Sequence, residues 1–179
     1  MKLRLKVASL NKPRNGSADA LDLRRRFPIF SRKNALRMGR VIRTGDTPAK
    51  RRHQHLRSCA EVLHLLAKRT RFDAEARDMV AFFVFSLRGI AQTIEESAQS
   101  WENRGYWRKA ESLRENWRWT RTAADELERL IRQDRWEAIP SVLLRLMPHF
   151  QHITVASITR NADWWCGALK ALLRSTTTS

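Results

Sequence analysis

Chain-breaking residues are so scarce in this sequence that long helices are the natural way to fold it. Six glycines and five prolines are spread over 179 residues, and seven Trp and seven Phe stand against one Tyr. That leaves too few turns for a sandwich or a barrel. A hydrophobic content of 42% is enough for one core. The expected fold is all-α: a bundle of about five helices with a long antiparallel helical hairpin as its spine, preceded by a basic, partly disordered N-terminal arm.

The periodicity assigns the helices. At about 100° per residue, Leu56, Cys59, Ala60, Leu63, Leu66 and Ala67 share one face of a first helix. It starts at Thr47, with Pro48 where a missing N–H costs nothing, and ends near Thr70. A second helix, from an N-capping Asp73 to about Asn103, aligns Met79, Phe83, Leu87, Ile90, Ile94, Ala98 and Trp101. Phe82, Val84 and Phe85 make its first half apolar nearly all round, so neighbours should cover several sides there. Gly105 supplies a left-handed stop. A third helix follows from about Tyr106 to Gln133, burying Ala110, Leu113, Trp117, Ala124, Leu127 and Ile131, and the short link makes the pair antiparallel. A shorter helix, about Pro140 to His149, and a last one, about Thr154 to Leu173 on Val155, Ile158, Ala162, Trp165, Leu169 and Leu172, complete the bundle. The resulting division is a basic arm at 1–46, a helical domain at 47–174 and a disordered tail at 175–179.

The net charge of +17 is unevenly distributed. Residues 1–58 hold 17 basic and 3 acidic side chains, whereas 59–179 hold 18 and 15. Within the arm, Arg24, Arg25 and Arg26 form the densest cluster, and Ser31 to Arg43 is patterned as a short amphipathic helix. Ala35, Met38, Val41 and Ile42 lie on one side of it, with Arg32, Lys33, Arg37, Arg40 and Arg43 on the other. Lys50, Arg51 and Arg52 then load the first turns of the first bundle helix with charge that opposes its dipole, and Arg57 follows. Such asymmetry points to a polyanionic partner. Of the 35 basic residues 27 are Arg, whose planar fork suits phosphate.

Catalytic patterns are absent. There is no glycine-rich phosphate loop, no G-x-S-x-G and no H-E-x-x-H. Glu61 and His64 have E-x-x-H spacing, but a di-iron bundle needs a second copy and two more inward carboxylates, so they read as a solvated pair. His53, His55 and Cys59, or His149 with His152, fall short of the ligands zinc requires and read as boundary histidines and a small core thiol. No cofactor or metal is expected. Glu95, Glu96, Glu111 and Glu115 lie off the apolar faces and read as surface charge, with Arg108, Arg114 and Arg118 spaced to pair along their own helix.

These residues favour a non-enzymatic accessory protein that docks on DNA or RNA phosphates through the arm and the start of the bundle, with weak sequence preference. Arg104, Arg108, Arg114, Arg118 and Arg121 form a secondary basic face. Trp117 and Trp119 interleave with arginines as base-stacking residues do, although helical spacing favours core packing for them. The alternative is a helical scaffold that binds a protein partner through the bundle. Trp164, about 100° off the apolar stripe, marks either that interface or a second packing layer. No apolar run approaches the roughly 20 residues of a membrane span. Attachment of Ser31–Arg43 to an anionic membrane surface is disfavoured by its small apolar side. Two separated cysteines suit a reducing, cytoplasmic setting, with organellar import through the basic N-terminus as the rival.

Overall fold

The structure, a computed structural model, describes residues 47–175. Three long helices dominate it: α1 (Pro48–Ala67), α2 (Ala74–Glu102) and α3 (Trp107–Arg132). A 3₁₀ turn at Trp136–Ala138 leads into α4 (Ile139–Leu146) and a second 3₁₀ turn at Met147–Phe150. After an irregular stretch come two short helices, α5 (Ala162–Trp165) and α6 (Ala168–Arg174). No strand occurs among the described residues. The amphipathic segment Ser31–Arg43 and residues 176–179 lie outside the described residues.

Local chemistry sets the ends of the long helices. The Thr47 hydroxyl accepts the Lys50 N–H at 3.2 Å ahead of Pro48, and the Asp73 carboxylate accepts the Ala76 N–H at 2.8 Å. Each satisfies a donor that the first helical turn leaves without a partner. At the end of α2, Gly105 takes φ +80° and returns the Tyr106 N–H to the Trp101 carbonyl at 2.9 Å. A Cβ there would meet nothing within 4 Å, so glycine is required for its backbone angle, not for space.

α2 is the central element. Every side chain from Met79 to Leu87 is buried, with Phe82 and Phe83 fully so. α1 covers one flank, α3 another, and α5 with α6 a third. α1 runs antiparallel to α2, bringing Arg51 to Glu96 and His55 to Gly89, and α3 also runs antiparallel, bringing Arg114 to Glu95 and Arg88 to Glu128. The expected hairpin spine is present, with boundaries within three residues of those read from sequence.

The segment expected as one helix from Thr154 to Leu173 is not one. Residues 151–161 are irregular, and Gly167, at φ +77°, separates α5 from α6. The periodicity is compatible with a helix, but Thr154, Val155, Ile158 and Thr159 are β-branched and carry little helical preference. Tertiary acceptors decide the outcome. Glu61 of α1, with no exposed surface, accepts the Thr159 N–H (2.8 Å), the Thr159 hydroxyl (2.8 Å), the Arg160 N–H (2.9 Å) and Arg57 Nε (2.8 Å). Asp78 of α2 likewise accepts the Gly167 and Leu169 N–H groups at 3.0 and 2.9 Å, standing in for a cap on α6. Glu61 is therefore not half of a solvated pair. Its carboxylate turns inward while His64 is exposed.

A second buried carboxylate closes the opposite side. Glu128 of α3 sits between Arg88 of α2 and Arg132 of α3, and Arg132 reaches on to the Leu172 carbonyl at 2.8 Å at the end of α6. Trp165 is buried and donates its indole N–H to Glu75 at 3.1 Å.

Burial pushes the Glu61 pKa up, but the bonds from Arg57, Thr159 and Arg160 outweigh it and hold the carboxyl below its ordinary range. Glu61→Gln should therefore destabilise the fold by about 3 kcal/mol, as loss of one member of a buried, hydrogen-bonded ion cluster does. Urea unfolding at neutral pH measures the loss. Limited proteolysis should show earlier cutting within 151–161, and an unchanged unfolding midpoint would remove Glu61 as the anchor of that segment.

Candidate nucleic-acid interface

The basic residues singled out in sequence divide into those the protein uses internally and those it leaves at the surface. Arg24, Arg25, Arg26, Arg32, Lys33, Arg37, Arg40 and Arg43 lie outside the described residues. At the start of α1, Lys50 is exposed, while Arg51 pairs with Glu96 across the α1–α2 interface. Arg52 lies over the Trp117 ring of α3, 5.5 Å from its centroid, and burial lowers its pKa. Arg57 is held by Glu61 and reaches the Ser157 carbonyl at 3.4 Å. Three of these four cations thus serve the bundle, leaving Lys50 as the member that points to solvent.

The second face divides in the same way. Arg114 does not join a ladder along its own helix. It crosses to α2, binding Glu95 (2.7 Å) and Glu102, and those carboxylates, Glu102 first, raise its pKa. Arg118 pairs with Glu115 at 3.1 Å with both side chains mostly exposed, and such a pair contributes little. Arg104 folds onto Ser100, donating to its carbonyl and its hydroxyl at 2.9 Å each. Arg108 and Arg121 are exposed, with no ion pair or hydrogen bond to another described residue through their side chains.

The aromatic residues are also redistributed. Trp117 and Trp119 are half-buried and stacked with centroids 6.1 Å apart, and Trp119 packs face to face on His149 at 3.9 Å and edge-on to Phe150. Their faces are occupied by the protein itself. Trp164 is half-buried, edge-on to Phe82, with the Arg160 guanidinium 4.9 Å above its ring. It belongs to the second packing layer.

Sequence reasoning missed the tip of the α2–α3 hairpin. α1 begins level with Glu96, so the last turns of α2 and the first of α3 run on past it. There Trp107 is 64% exposed and Tyr106 51%, flanked by exposed Arg104, Arg108 and Lys109, the last with its Nζ 5.2 Å from the Tyr106 ring centroid. Helical periodicity reports which side of α3 faces α2. It does not report where the neighbouring α1 stops, and only the difference in helix lengths hinted at an overhang.

The chain matches no known protein family, curated protein or solved structure. Among the described residues no group of three or more His, Cys, Asp or Glu side chains is placed to hold a metal ion, and no helix is long and apolar enough to cross a membrane.

His55 lies at the α1–α2 interface against Gly89 and is buried, not at a boundary. A Cβ on Gly89 of α2 would stand 2.3 Å from the His55 ring, so the helices meet here because α2 has no side chain. Burial first, then the charges of Arg51 and Arg160, lower the His55 pKa from about 6.5 to about 4. Cys59, one turn on, is fully buried, and burial pushes its thiol pKa up, so it is a core group and not a nucleophile.

Because the folded protein keeps His55 neutral, the unfolded chain binds the extra proton between those two pKa values. The His55 contribution is therefore complete above about pH 6.5 and is lost as pH falls towards 4, at up to about 1.4 kcal/mol per pH unit. Urea unfolding of the wild type and of His55→Gln across that range should give curves that diverge by this slope; parallel curves would refute the assignment. Gly89→Ala should cost roughly 1–3 kcal/mol by overpacking against the imidazole, with a smaller cost in the His55→Ala background.

Proposed function

We propose that this is a non-enzymatic nucleic-acid-binding accessory protein, cytoplasmic, that docks on DNA or RNA phosphates through its basic residues 1–46, with the helical bundle 47–174 as its rigid body and 175–179 as a short tail. The observation that carries the reading is a charge imbalance that the bundle cannot correct. Residues 1–46 contain 13 basic and 3 acidic side chains, and residues 47–175 contain 22 and 15. Nearly all of the bundle's carboxylates are already engaged, in pairs such as Glu96 with Arg51, Glu126 with Arg145 and Glu128 with Arg88, or as the backbone cap made by Asp78. Among the described residues Glu111 and Asp125 alone accept neither an ion pair nor a side-chain hydrogen bond. The described residues therefore offer almost no free counter-charge to the cations of 1–46. A polyanion supplies it, and the release of its condensed counterions drives the association.

Exposed Trp107 and Tyr106 among Arg104, Arg108 and Lys109 support a second contact at the hairpin tip. An aromatic face beside cations can stack on an unpaired base while the cations hold the adjoining phosphates. Arg108, Arg118 and Arg121 continue the exposed positive charge along α3, interrupted by Glu111 and Glu115. Contacts of this kind read backbone and single-strandedness more than sequence.

Fluorescence anisotropy of labelled duplex DNA, single-stranded DNA and RNA over a salt series tests the reading on the full chain. Arg24→Gln/Arg25→Gln/Arg26→Gln should weaken binding to all three and reduce the slope of log K against log salt by about 1 for each phosphate no longer neutralised. Trp107→Ala should weaken single-strand binding by about 1–3 kcal/mol and leave the duplex little changed. Absence of binding to all three polymers near physiological salt would end the proposal.

A further inference from the structure

An apolar trough runs along the C-terminal end of α1, on the side where α4 and the second 3₁₀ turn pack. One hollow of about 420 Å³ lies between the end of α1 and α4, floored by Leu63, Leu66, Phe72 and Leu143. A second, of about 330 Å³, continues it towards Phe150 and Val155, and Leu63, Ala67 and Met147 line both. On its lip Leu144 is 67% exposed and Met147 44%. No carboxylate lines either hollow among the described residues, and the charged groups that do are Arg69 and Arg71, with the titratable His64. Arg69 is neutralised by Asp73 and Glu75, whereas Arg71 is exposed and has no counter-ion among the described residues, and Lys68 stands exposed beside them.

We propose that this trough is a docking groove for an acidic amphipathic helix of a partner protein. An apolar floor with a rim of one sign fits a helix that presents apolar side chains at i, i+3 or i+4, and i+7 and carries Asp or Glu at the flank facing Arg71. Along α1 the floor spans Ala60 to Ala67, about 11 Å, which accommodates roughly two turns of such a helix. Charge decides between occupants. The chain's own residues 1–46, with 13 basic against 3 acidic side chains, would bring like charge to Arg71 and Lys68. A second copy joined by a two-fold axis would present the same cationic rim to itself. A nucleic acid would find phosphate partners at the rim alone, and the floor of Leu63, Leu66, Phe72 and Leu143 offers its bases no hydrogen bond. The groove is separate from the hairpin tip, so this inference stands whether or not nucleic acid is bound there.

The test is selection from a phage-displayed library of random 16-residue peptides on the full-length protein, followed by anisotropy with the recovered peptides. The peptides should be net acidic with apolar residues at the helical spacing. Leu144→Glu should reduce their affinity at least tenfold, and Arg71→Glu by several-fold, with part of the loss restored when a peptide Glu is changed to Lys. Both positions are exposed, so thermal melting should be unchanged in both variants, and Leu144→Ser provides a milder second substitution. Because the whole protein is strongly basic, acidic peptides that bind wild type and Leu144→Glu equally are held by charge elsewhere and overturn the proposal. Recovery of no peptide, or of peptides without the spacing, overturns it as well. A dimer in light scattering that Leu144→Glu dissociates would assign the groove to a second copy instead.

Discussion

The structure depends on one demand: the first half of α2 must be covered on every side. Met79 to Leu87 is buried without interruption, and a helix apolar around its whole circumference cannot be served by one antiparallel neighbour. α1 and α3 each take a flank. The remaining flank is closed by Trp164, Trp165 and the two short helices at the end of the chain. Those helices are too short to be stable by themselves. Their position comes from polar bonds reaching out of the long helices, Glu61 to Thr159 and Arg160, Asp78 to Gly167 and Leu169, and Arg132 to Leu172.

Buried charge therefore acts here as a positioning device. An ion cluster in a protein interior gains little over a well-packed apolar one, but it has direction. Glu61 accepts from two successive backbone N–H groups, and that fixes the conformation of residues that would otherwise be free to continue a helix. The same logic explains why so many arginines that pattern as surface cations are not free to act as such. Arg51, Arg57, Arg114 and Arg132 each join one helix to another or to an irregular segment. Lys50, Lys68, Arg71, Arg108, Lys109 and Arg121 are exposed without an ion pair among the described residues.

The long helices were legible because their signals are local and redundant. Thr47 before Pro48, Asp73 before an apolar repeat, and Gly105 after one each state a boundary in the residue types themselves, and the structure places the boundaries there. The C-terminal segment was illegible for the opposite reason. Its apolar spacing fits a helix, while the acceptors that break it lie about 90 to 100 residues away on α1 and α2, where no local pattern can announce them. Arg52 shows the same limit, since its partner, the face of Trp117, is 65 positions distant. Trp107 and Tyr106 illustrate another. Periodicity fixed their angle around α3, yet their exposure follows from the length of a helix on the far side of α2.

The bond from Glu61 to Thr159 has a further meaning for the order of assembly. The α2–α3 hairpin can close by contacts near in sequence, which form early and cost little loop entropy. The segment from 151 to 175 cannot. Its anchors join residues about 90 to 100 positions apart, so closing them costs the most loop entropy and needs both α1 and α2 as the docking surface. Without this segment the Trp164 ring would be missing from the Phe82 side of α2, and that flank of the long helices would lose its cover. The segment that looks least regular in the finished molecule is thus the one that makes the molecule finished, turning a sticky hairpin assembly into a closed domain.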